Sequence, residues 1–146
     1  MRLAAIGRDY RVVYRPRRNA ERVRFRRHGD VVVLSGATSD DAQCVAALKR
    51  WLAGLAREEL EPWLRSLSAL TGDAFRRMQV RGQKTCWGSH SSTGTISINY
   101  CLLFLEPALV RYLMIHELCH ARHMNHSRRF WRAVARHEPD YKQLDR

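Results

Sequence analysis

The sequence predicts a single α+β domain, and three observations carry that expectation. Residues 1–36 alternate apolar and charged side chains at the period of a strand. Residues 39–71 repeat their apolar positions at the period of a helix. After a second strand-like stretch, a short apolar helix carries His116-Glu117-Leu118-Cys119-His120. The 146-residue length suits one domain, with 1–36 as an N-terminal β region, 37–72 as a helical segment and 73–146 as a catalytic core.

In the β region, Tyr10, Val12 and Tyr14 fall on one side of a strand, and Val23 and Phe25 alternate with Arg22, Arg24 and Arg26. His28-Gly29-Asp30 signals a turn into Val31-Val32-Val33-Leu34. One strand face therefore carries a row of guanidinium groups. Of the +12 formal charge, +7 lies in residues 1–36, and only three of the 26 basic residues are lysine. Such a row is either a solvated sheet face or a surface for nucleic-acid phosphates.

For the helix over 39–71, Thr38 or Ser39 is a candidate cap, and Asp40 and Asp41 suit its positive end. Cys44, Leu48, Trp51, Leu52 and Leu55 form its apolar stripe, and Pro62 is expected to break or kink it. A further stretch with Trp63, Leu64, Leu67 and Leu70 ends at Thr71-Gly72. Strand character returns at Met78-Gln79-Val80-Arg81. A polar loop over 88–94 follows, and Thr95–Asn99 then closes a hairpin-like unit. Pro107 opens the last long apolar helix.

No apolar run approaches the roughly 18 residues that span a bilayer, and the N-terminal apolar stretch is too short for a signal peptide. Cys44, Cys86, Cys101 and Cys119 show no close pairing, so free thiols in the cytoplasm are expected.

The chemistry resides in the H-E-x-x-H pentapeptide. Four residues turn a helix by about 400° and raise it about 6 Å, so His116 and His120 leave the same face. Two imidazole nitrogens at that spacing can reach one Zn2+, with Glu117 beside the ion to polarise its water. A catalytic zinc usually takes a third protein ligand. His126 fills that role only if the chain turns after His120, and Asn125 in a left-handed conformation is the expected device, with Ser127 capping a helix from Arg128 to about His137. His123, one turn beyond His120, and Glu138, 18 residues beyond it, are the rivals for the third position.

From about Arg81 to Leu144 the sequence resembles the YgjP-like family of zinc metallopeptidases, related to the SprT-like and WLM zincins. The resemblance rests on Trp87-Gly88-Ser89, Gly94 through Asn99, Leu102, Pro107, the His116–His120 pentapeptide, Asn125-His126-Ser127, Phe130-Trp131 and Pro139-Asp140-Tyr141. It implies a minimal zincin-like fold, with a small antiparallel sheet packed on the active-site helix. It also implies His116, His120 and His126 as metal ligands and Glu117 as the catalytic acid/base. Cys86 stands where a basic residue is usual, and His90 where a cysteine is usual.

The expected function is therefore that of a zinc-dependent peptidase acting on a peptide or protein. Thr95–Asn99 is a candidate strand for pairing with substrate, and Arg81, Tyr100 and Tyr141 are candidate oxyanion donors. Two alternatives use the same site: a nucleotide hydrolase acting on phosphoanhydrides, and a nucleic-acid-associated protease. No membrane partner is expected, and the sequence leaves the oligomeric state open.

Overall fold

The computed structural model describes residues 1–82 and 87–145. Cys86 lies outside them. The N-terminal part opens with a short antiparallel pair, β1 (Arg2–Leu3) and β2 (Arg8–Asp9), joined by a 3₁₀ turn. A three-stranded sheet follows, built from β3 (Arg11–Pro16), β4 (Val23–His28) and β5 (Val31–Gly36). Gly29 turns the β4–β5 hairpin at φ 58°. The strand order is β3-β5-β4, so β3 runs parallel to β5. Val23, Val32 and Leu34 are buried, whereas the arginines of β4 are exposed.

One helix, α1 (Asp41–Thr71), spans the middle of the chain. Its cap is Asp40, not Thr38 or Ser39: the Asp40 side chain accepts from the Gln43 backbone N–H. Pro62 does not end it. Proline removes a helical hydrogen bond at a cost of about 3 kcal/mol. The fully buried Leu60 and Leu64 on either side, with Leu67 a turn further on, hold the helix continuous across that defect. Trp51 meets Tyr10 edge-on at 5.0 Å. Leu70, named with Trp63, Leu64 and Leu67 in the stretch that ends the helix, is 60% exposed. Gly72, at φ 74°, ends the helix with its N–H on the Ser68 carbonyl.

The second three-stranded sheet contains β6 (Arg77–Arg81), β7 (Gly88–His90) and β8 (Thr95–Asn99). It is mixed, not antiparallel throughout: β8 lies in the centre, antiparallel to β7 and parallel to β6. The expected polar loop over 88–94 is thus half strand. After a 3₁₀ turn over Tyr100–Phe104 come α2 (Pro107–Cys119), α3 (Arg128–His137) and the short α4 (Tyr141–Leu144). Proline occupies the first turn of α2, where its missing N–H has no helical partner to lose. Buried side chains from both sheets, α1, α2 and α3 form one continuous core. No helix among the described residues is long and apolar enough to cross a membrane.

Candidate active site

α2 is buried along most of its length: Val110, Tyr112, Met114, Ile115, Leu118 and Cys119 are all inaccessible or nearly so. Glu117 and His120, at 7% and 8% exposure, are the polar exceptions on the helix and at its C-terminal cap. Buried polar groups require partners, and the local geometry supplies them.

The helix ends at His120 through tight i→i−3 bonds, from His120 N to Glu117 O and from Ala121 N to Leu118 O. Asn125 is not left-handed; Asn19 is the one non-glycine residue with positive φ among the described residues. The reversal instead uses a three-residue turn in which Ser127 N–H bonds the Asn125 carbonyl at 2.8 Å. His126 sits at the apex of that turn. Ser127 then caps α3 by accepting from Phe130 N–H.

The outcome is a cluster in which ligating atoms of His116, His120 and His126 all lie within 4.8 Å of one another. Nitrogens at 2.0–2.1 Å from a tetrahedral zinc would lie about 3.3 Å apart, so small ring rotations suffice to converge. His120 donates from Nδ1 to the His123 carbonyl at 2.9 Å, because a carbonyl can only accept. That bond fixes the tautomer and leaves Nε2 as a lone-pair donor. Burial pushes the His120 pKa down, partly opposed by the bond to His123. The ring is thereby held in the neutral form that ligates metals. These residues fit a divalent metal.

Aromatic side chains of α3 fix the rings. Phe130 is fully buried and stacks on His120 at 4.5 Å and 24°, with its edge contacts on His116 and His126 at 5.0 and 4.9 Å. Trp131 stacks on His126 at 5.8 Å and on Tyr141 at 5.3 Å. Phe130 and Trp131 were legible only as part of the family resemblance; nothing in their spacing marks them as a cradle for imidazoles.

Glu117 faces the same cleft, with Oε2 3.4 Å from His116 Nδ1. The cleft, about 310 Å³, is lined by Gly88, Ser89, His90, His116, Glu117, His120, Met124 and His126. β7 forms one wall. His90 donates from Nδ1 to the Glu117 carbonyl at 2.5 Å and ties β7 to the last turn of α2. Gly88 permits that approach: a Cβ there would lie 3.2 Å from Glu117 Cγ and 3.4 Å from Oε2.

The two rivals for the third position go elsewhere. His123 turns its carbonyl to His120 and lines a separate pocket with Arg122, Arg129 and Arg132 rather than the cleft of His116, His120 and His126. Glu138 forms an ion pair with Arg111 at 2.5 Å. Of the oxyanion candidates, Arg81 bonds Gln79, Tyr100 packs over Gly82 and Tyr141 stacks on Trp131. None of the three lines the cleft. Thr95–Asn99 cannot pair with a substrate as expected, because β8 already has a strand on each side; β7 is the edge strand at the cleft.

A mixed α+β core with a histidine cluster at the end of a buried helix defines a minimal metallopeptidase fold, and solved metallopeptidase structures are similar to it in fold. The chain is similar to the metallopeptidase zymogen abylysin of Pyrococcus abyssi, with 29% identity and a TM-score of 0.53 over 57% of this chain and 86% of that one. It is also similar in fold to the zymogen jannalysin of Methanocaldococcus jannaschii, at 17% identity and a TM-score of 0.53 over 60% and 90% of the respective chains. No curated protein matches it. Residues 1–146 match the YgjP-like, metallopeptidase domain family, and the chain belongs to that family.

Proposed function

We infer that this metallopeptidase uses zinc, that His116, His120 and His126 hold the ion, and that Glu117 is the catalytic acid/base of an H-E-x-x-H site. The observation that carries this reading is the convergence of three imidazoles within 4.8 Å beside a buried carboxylate. Three histidines with an open fourth position are a catalytic zinc set, whereas structural zinc sites close all four positions, usually with cysteine. When bound, zinc supplies Lewis acidity that makes water acidic and polarises a carbonyl.

The chain's own residues do the rest. Glu117 Oε2 reaches into the cleft, where it takes a proton from the attacking water and returns it to the leaving amine. Phe130 and Trp131 keep the imidazoles from rotating away. A peptide extended along β7 gains backbone hydrogen bonds at a sheet edge and lies across the cleft mouth. We read the whole chain as one domain serving this site. The unpaired thiols of Cys44, Cys101 and Cys119 support a reducing, cytoplasmic setting.

The test is the Glu117→Gln variant, assayed for zinc content and for cleavage of casein beside nucleoside triphosphates. Zinc retained at one equivalent with casein cleavage lost supports the reading. Undiminished casein cleavage contradicts it, as does a wild-type enzyme that hydrolyses only the triphosphates.

A further inference from the structure

Arg15, Arg17, Arg22, Arg24, Arg26 and His28 line a groove of about 500 Å³ on the outer face of the N-terminal sheet. The floor is β5, where Val33 and Ser35 point outward between buried Val32 and Leu34. The register places Arg15 and Arg24 on either side of Ser35, and Arg26 beside Val33. Strands lie about 4.8 Å apart and rise about 3.4 Å per residue. The two arginine rows are therefore separated by roughly 10 Å, with roughly 7 Å between successive arginines in a row. Gly36, at φ 119°, lets the strand close beneath the 17–22 loop, where a side chain would run into the Arg22 carbonyl.

The charge in this groove is uncompensated. No carboxylate lines it, and Glu21, the sole acid between residues 15 and 28, lies outside the lining. Among the described residues Arg15, Arg17, Arg22, Arg24 and Arg26 take part in no ion pair, whereas Arg2, Arg8, Arg65, Arg111 and Arg122 each meet an acid. Like charges held this close repel one another, and a polyanion relieves that repulsion. A guanidinium fork matches phosphate geometry, as lysine does not.

The rest of the lining decides which polyanion. It contains no Phe, Tyr or Trp on which successive unpaired bases could stack, and its one ring is the imidazole of His28 at the end of β4. It offers one hydroxyl, Ser35, and no side-chain amide, and its arginines stand on the face of a three-stranded sheet, broader than the two-stranded ribbon a major groove admits, so they meet phosphates rather than guanine edges. A partner with regularly spaced phosphates outside and bases hidden fits this chemistry. We propose that the outer face of the β3–β5–β4 sheet binds the phosphate backbone of duplex DNA without reading its sequence. No groove residue lines the histidine cleft, so this surface stands independently of the peptidase reading.

Fluorescence anisotropy of the full chain with a labelled 20-base-pair duplex, titrated between about 50 and 200 mM salt, tests it. If the five arginines each meet a phosphate, log Kd against log salt has a slope near 4.5, a several-hundred-fold weakening across that range. Combining Arg22→Ala, Arg24→Ala and Arg26→Ala weakens binding at least tenfold at the lowest salt and reduces the slope by about 3. The three lysine substitutions retain most of the slope. Combining Arg129→Ala, Arg132→Ala and Arg136→Ala on α3 removes the same charge elsewhere and leaves the slope within about one unit. Equal loss in both alanine triples would show net charge alone at work and overturn the proposal. So would tighter binding of a single strand, of duplex RNA or of polyglutamate than of duplex DNA.

Discussion

His120 donates its Nδ1 proton to the backbone carbonyl of His123, three residues on, at 2.9 Å. The bond connects the end of the active-site helix to the turn that returns His126, so ring orientation and loop position are set together. Groups supporting that turn should therefore affect metal affinity without touching metal.

Arg122 is such a group. Its Nε lies 2.8 Å from Asp73 Oδ1, close enough for ion pairing though not aligned as a hydrogen bond, and its Nη2 donates to the Gly72 carbonyl. These contacts pin the turn to the end of α1. Asp73 is 5% exposed, so Arg122→Ala strands a buried carboxylate. Because the guanidinium is 62% exposed, the loss should be about 1–2 kcal/mol rather than the full cost of a buried pair. Urea unfolding measures it, and zinc affinity from chelator competition should fall several-fold in the same variant. A variant as stable as the parent would show that the contact is idle.

Phe130 is fully buried against all three histidines. Phe130→Ala should cost about 3–5 kcal/mol through the cavity it leaves, and added zinc should recover only part of this. Trp131 is only half-buried. Trp131→Ala, which removes the ring stacked on His126, should lower zinc affinity more than it lowers the metal-free melting temperature. Calorimetry with and without zinc separates the two effects, and identical shifts in both states would refute the distinction.

Gly88→Ala tests the closeness of β7 to Glu117. The added methyl meets Glu117 Cγ at 3.2 Å, so the carboxylate must move by a few tenths of an ångström. A displacement of that kind should reduce kcat about tenfold with zinc stoichiometry unchanged, since the methyl does not reach the imidazoles. Steady-state kinetics with metal analysis checks this; unaltered kcat would mean that the carboxylate position is not critical.

Burial pushes the Cys119 thiol up to about 12; the Asp73 carboxylate adds to that rise and the Arg122 guanidinium opposes it, both to a smaller extent. At pH 8 its thiolate is then about one part in ten thousand, and the thiolate is the form that reacts. Iodoacetamide at pH 8 should label the partly exposed Cys101 and leave Cys119 unmodified in folded protein, as read by peptide mass spectrometry. Rapid labelling of Cys119 would mean that the end of α2 opens readily.

What was legible in the sequence followed the range of the interaction involved. His116 and His120 share a helix face because their spacing alone dictates it, and Pro107, Gly72 and Ser127 mark helix ends through strictly local chemistry. The sequence implies the return of His126 but not its device, since Asn125 stays out of the left-handed region and a three-residue turn does the work. Pro62 misled because a propensity of about 3 kcal/mol is smaller than the burial of the leucines around it. The parallel pairing of β3 with β5 and the central position of β8 depend on contacts between distant segments, which periodicity does not encode. That is also why Thr95–Asn99 looked like a substrate-pairing strand when β7 holds the edge.

The most direct test of the metal centre is diffraction at the zinc absorption edge from crystals grown with zinc. One anomalous peak is expected about 2.1 Å from a ring nitrogen of each of His116, His120 and His126, with the Glu117 carboxylate beside it and not bound. A peak held by Glu138 or His123 in place of His126, or three rings turned away from one another with no peak between them, would contradict it.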